Sequence, residues 1–80
     1  MHELGVLHQI VKTVSAIAKE NHIPRIKHIA LEVGELSGFV PAYLTKLFPV
    51  AADAYPLLQQ AELRISMIRG KGLSIKEIGY

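Results

Sequence analysis

Ala61-Glu62-Leu63-Arg64-Ile65-Ser66-Met67-Ile68, then Arg69-Gly70-Lys71-Gly72, then Leu73-Ser74-Ile75-Lys76-Glu77-Ile78 is the stretch that decides the fold. Leu63, Ile65 and Met67 alternate with Glu62, Arg64 and Ser66, the period of a strand with one buried face. Leu73 and Ile75 repeat the pattern, with Ile78 out of step. The four residues between the runs carry two glycines and have hairpin length, so the spacing predicts an antiparallel hairpin.

Upstream, Arg25-Ile26-Lys27-His28-Ile29-Ala30-Leu31-Glu32-Val33 reads as a third strand, with Ile29, Leu31 and Val33 on its inner face. Ile26 is out of phase with Ile29, which points to a bulge near Lys27-His28. Gly34-Glu35-Leu36-Ser37-Gly38 ends this strand in a loop. Leu4, Leu7, Val11, Val14 and Ala18, widened by Ile10 and Ile17, predict an amphipathic helix over residues 3–20, stopped by Asn21 and Pro24. Pro41 suits the first position of a second helix, whose apolar face is Leu44, Leu47, Phe48, Ala51, Ala52 and Tyr55. Pro49 lies inside that pattern and implies a kink there, or two short helices; Pro56 marks the end. The class is therefore α+β, in the order α-β-α-β-β. The hairpin joins the first strand in a three-stranded mixed sheet, and both helices pack on one face because only one face is apolar enough to be covered.

Eighty residues form one domain, which buries about 60% of the surface its unfolded chain exposes. Half the residues are apolar, a fifth are charged and the net charge is +2. This small cationic excess is no basic patch, and the chain lacks both an aromatic strand motif and a Gly-x-x-Gly clamp, so nucleic acid is not expected as a partner. There is no cysteine, which excludes disulfides, thiolate metal sites and cysteine nucleophiles. No apolar run approaches the ~20 residues of a membrane span, and no secretory signal opens the chain. The expectation is a cytoplasmic protein with no membrane partner.

Met1-His2-Glu3 is where chemistry concentrates. The Met1 amine and the His2 amide nitrogen close one chelate ring on a metal, and the same amide with His2 Nδ1 closes a second. Three nitrogens in one plane suit square-planar Ni(II) or Cu(II) better than tetrahedral Zn(II). The large side chain at position 2 favours retention of the initiator Met. Glu3 falls in the first turn of the predicted helix, where a negative charge is favoured by the helix dipole.

Other candidates carry less. His8 borders the apolar stripe and reads as a packing or surface residue. His22 sits past a helix end, where an imidazole can cap carbonyls, and His28 sits on a strand; neither has a carboxylate or histidine at ligand spacing. Glu32 and Glu35 lie three apart on a strand pattern and face opposite sides, which argues against an acid–base pair. Ser15, Ser37, Ser66 and Ser74 have no nucleophile motif, and residues 69–72 lead into a strand and not a helix, unlike a phosphate loop. No enzyme is expected.

Several of these pieces converge on a family. Met1-His2-Glu3-Leu4, Leu31-Glu32-Val33-Gly34-Glu35-Leu36-Ser37-Gly38 with Val40-Pro41, then Leu44 and Phe48, then Ala61-Glu62-Leu63-Arg64-Ile65, and finally Gly72-Leu73-Ser74-Ile75-Lys76-Glu77-Ile78 resemble HypA. This is the nickel-incorporation accessory protein of nickel–iron hydrogenase and urease maturation. The resemblance covers nearly the whole chain. It implies a nickel metallochaperone with Ni(II) held by the Met1 amine, the His2 amide and imidazole, and the neighbourhood of Glu3. It further implies a hydrogenase precursor and a maturation GTPase as partners, or, as the alternative, a metal-free module of HypA type that docks them. The family carries a zinc lobe with two Cys-x-x-Cys pairs between its last two strands. Here residues 69–72 stand in that place and no thiolate is present, so no zinc is expected. The sheet edge left by so short a connection is open to a second chain, and a homodimer stays among the expectations.

Overall fold

The computed structural model describes residues 2–80. The elements are α1 (Glu3–Glu20), β1 (His28–Gly34), α2 (Pro41–Ala52), a single 3-10 turn (Pro56–Leu58), β2 (Glu62–Ile68) and β3 (Leu73–Gly79). The α-β-α-β-β order and the mixed three-stranded sheet are those the sequence predicts. Leu7, Val11, Val14 and Ala18 of α1, with Leu44, Phe48, Ala51 and Ala52 of α2, join Ile29, Leu31 and Val33 of β1 in one core. Three apolar rows cross the inner face of the sheet, the third running out to exposed Met67 at the edge. Ile29 lies between Leu63 and Ile78, Leu31 between Ile65 and Ile75, and Val33 between Met67 and Leu73.

The strand order corrects the hairpin. It is β2-β1-β3, with β1 parallel to β2 and antiparallel to β3, so the two C-terminal strands never pair with each other. Ile29, Leu31 and Val33 are wholly buried, and a strand so apolar gains most when flanked on both sides. The connection at 69–72 has no tight turn to make. It crosses the end of β1 and is bonded there: Gly34 N–H donates to the Gly72 carbonyl (2.7 Å), Glu35 N–H to Ile68 (2.8 Å) and Leu36 N–H to Gly70 (2.9 Å). A Cβ at position 34 would overlap the Gly70 carbonyl, so this crossing requires glycine.

The bulge is also elsewhere. β1 begins at His28, and Ile26 precedes it, buried, with its N–H donating to the Leu57 carbonyl (3.0 Å). The irregularity lies on β3: Ala30 faces Glu77 and Leu31 faces Ile75, leaving Lys76 as the extra residue. This returns Ile78 to the inner face and explains why it is out of step in the sequence. Pro49 does not split α2, which continues through it to Ala52. Tyr55 lies beyond the helix but still packs against the core.

Candidate metal-binding amino terminus

α1 begins at Glu3, so His2 is the residue that delivers the chain into a rigid element. Its backbone is non-helical (φ −88°, ψ 74°), its carbonyl accepts the Val6 N–H at 3.2 Å, and its imidazole is exposed. The amides that open a helix have no carbonyl partner within it, and the aligned peptide dipoles leave partial positive charge there. Met1 lies outside the described residues.

Glu3 differs from what its place in a chelating stretch suggests. It is 6% exposed, the one buried ionisable side chain among the described residues. Its Oε2 accepts the Val40 N–H at 3.0 Å, across 37 positions of sequence. Val40 is the N-cap of α2, so one carboxylate joins the openings of both helices. The Val40 N–H holds the Glu3 carboxyl below the ordinary carboxylate value, against the opposing effect of its burial. Ser37 is buried nearby in sequence, and its Oγ accepts the Phe39 N–H at 3.3 Å, shaping the same loop.

The remaining candidates are dispersed. His8 is exposed on α1, ~120° around the axis from the His2 side. Among the described residues no three His, Asp or Glu side chains converge on a point. A site made of backbone and terminal nitrogens with one imidazole needs no such cluster.

His28 is the residue that sequence reasoning missed. Its Nε2 donates to Glu77 Oε2 at 2.8 Å on the open sheet face, and Arg64 Nε donates to Glu62 Oε1 beside it. Nothing in the sequence spacing announces a partner 49 positions away. Gly79 lets the imidazole lie against the backbone of β3, since a Cβ there would overlap the ring. The hydrogen bond from His28, and its charge, hold the Glu77 carboxyl low; that from Arg64 does the same for Glu62. A separate cleft at the far end of α2 is lined by Phe48, Pro49, Ala52, Leu58, Gln59 and Ala61. Asp53 lines it as well; it lies roughly 12–18 Å along α2 from Val40, and Gln59 Nε2 is engaged there with the carbonyls of Ala52, Asp53 and Tyr55.

Comparison with known proteins follows the same line. A family model described as hydrogenase/urease nickel incorporation, metallochaperone, hypA, matches residues 1–77. A hydrogenase maturation factor HypA from Methanosarcina barkeri is 37% identical over 68 residues, covering 85% of this chain and 50% of that protein. Those from Chloroflexus aggregans (40% over 68 residues; 85% and 59%) and Trichodesmium erythraeum (41% over 73 residues; 90% and 60%) are similar. The chain thus spans between 50% and 60% of the length of these curated relatives. The solution structure of the Ni metallochaperone HypA from Helicobacter pylori superimposes with a TM-score of 0.77 at 16% identity, over 96% of this chain and 88% of that one. At that identity the likeness shows the shared fold. No helix among the described residues is long and apolar enough to cross a membrane.

Proposed function

The chain belongs to the HypA family, and on that premise we propose that it is a nickel carrier for the maturation of nickel enzymes, nickel–iron hydrogenase first and urease second. Ni(II) is its cargo. The Met1 amine, the His2 amide nitrogen and His2 Nδ1 supply three in-plane donors, with Glu3 beside them. The observation that carries this reading is an exposed imidazole on the residue directly ahead of a long helix, next to a side chain fastened to Val40. Coordination requires the His2 amide to lose its proton. The positive end of α1 favours the resulting anion, and affinity rises with pH. A fourth position left to solvent or to the recipient suits a protein that must give its metal up.

Catalysis is no part of this proposal. The cytoplasm is the compartment we assign, with an apo-hydrogenase subunit and a maturation GTPase as partners. We further read residues 69–72 as standing where the family's zinc lobe is inserted, within a single domain of residues 1–80, so zinc is not part of the proposed cargo. A second reading, a metal-free docking module, draws on the outer edge of β2, where Met67 and Ile68 are exposed; the same edge serves a homodimer.

Nickel titration followed by ultraviolet–visible absorption, on a chain with its native amino terminus, tests the carrier. The expected result is one equivalent of Ni(II) bound, more tightly at pH 8 than at pH 6.5, and loss of the signal in His2→Ala. An extra residue ahead of Met1 abolishes it too. An unchanged titration in His2→Ala overturns the proposal. Retention of partner binding without nickel, in the extended chain, favours the second reading.

A further inference from the structure

Resting on the carrier reading above, we infer that the Glu3 carboxylate positions the site and does not itself ligate nickel: it is the clasp that fixes the donor-bearing start of α1 to the start of α2. Three observations carry this. Glu3 is buried, whereas a ligand for exchangeable metal must be reachable. One carboxylate oxygen is committed to the Val40 N–H at 3.0 Å, and a buried carboxylate released from such a bond suffers a large desolvation penalty. The acceptor also sits at the N-terminus of α2, where Pro41 at the first helical position brings no N–H of its own. Drawing Oε2 onto a metal forfeits this bond, and bringing either oxygen to one means exposing a buried side chain.

The clasp has a direct effect on the donors. Adjacent Cα atoms are ~3.8 Å apart, so pinning Glu3 through its side chain confines His2 as well. An unpinned terminus frays, and ordering it on binding subtracts from affinity. Held by Val40, the backbone at His2 is confined beforehand, while the Glu3 carboxylate itself stays off the metal. Capture is helped and release is not obstructed.

Glu3→Gln separates the two roles, because its amide oxygen accepts the Val40 N–H as the carboxylate does but coordinates Ni(II) far more weakly. The expected outcome is an unchanged nickel absorption band with affinity close to the parent. Glu3→Ala should keep the band, since the donors are intact, and lose tenfold to a hundredfold in affinity, the usual cost of removing a partner that orients a ligand. The Val40 amide should exchange its hydrogen slowly in the parent and in Glu3→Gln, and fast in Glu3→Ala. A shifted band in Glu3→Gln makes the carboxylate a ligand and overturns the inference, whether or not Glu3→Ala folds. So does Glu3→Ala binding nickel as tightly as the parent, or a Val40 amide indifferent to the substitution. If the parent itself ignores Ni(II), the carrier reading fails, and Val40 exchange still decides the clasp.

Discussion

His22 has a φ of 56°, in the left-handed region, and it ends α1. Its N–H donates to the Lys19 carbonyl (3.3 Å), and the Ile23 N–H reaches back to Ala18 (2.8 Å). The backbone, and not the imidazole, closes this helix, in the arrangement that usually employs glycine. His22→Gly removes the Cβ conflict at some entropic cost and should raise stability by about 0.5–1 kcal/mol, read as a higher urea midpoint. Glu77 and Glu62 set a dependence on acid. Both carboxyls lie below their ordinary value of 4.5 in the folded chain, so their contributions are complete above that value and are lost as pH falls through the folded values. Unfolding midpoints should decline below about pH 4.5, and Glu77→Gln should flatten that decline. Equal slopes in parent and variant would remove Glu77 from the account. At this scale the proposed nitrogen donors are legible, because they sit on consecutive residues. The links Glu3–Val40 and His28–Glu77 are not, because only folding brings their partners together.

Among the elements, α1 is fully readable: its stripe has one period, and capping signals close it. The sheet is readable as three strands but not in its order. Alternation tells which face of a strand is inward, and is silent about which strand is central. A short glycine-bearing link favours a hairpin until the burial of β1 is known. β3 shows the same limit at finer grain. Leu73, Ile75 and Ile78 share a face only because Lys76 is skipped in the pairing. Removing Lys76 leaves Leu73-Ser74-Ile75-Glu77-Ile78, a strict alternation with Ile75 still against Leu31 and Ile78 against Ile29. That deletion should leave stability within about 1 kcal/mol of the parent. Deleting Ser74 breaks the alternation ahead of Ile75 and should cost about 2–3 kcal/mol, since Leu73 or its neighbours must leave the core face. Circular dichroism through a urea series compares the two. Equal losses would place the bulge elsewhere.

For the molecule as a whole, the central position of β1 governs how the native state can be reached. Neither neighbour of β1 is joined to it by a turn: Ile29 meets Leu63 on one side and Ile78 on the other. Every ladder therefore closes a loop of roughly 30 residues or more, and entropy must be spent before any pairing rewards it. Refolding should fall in the slower range for domains of this size, milliseconds to seconds, and stopped-flow dilution from urea measures it. On the ribosome the consequence is sharper. α1 can coil as soon as it emerges, but the most oily strand of the chain waits with an open flank until translation has delivered residue 79. During that interval a growing chain of this design is exposed to capture by its neighbours, and chaperone occupancy on nascent chains should be greatest just before β3 leaves the tunnel.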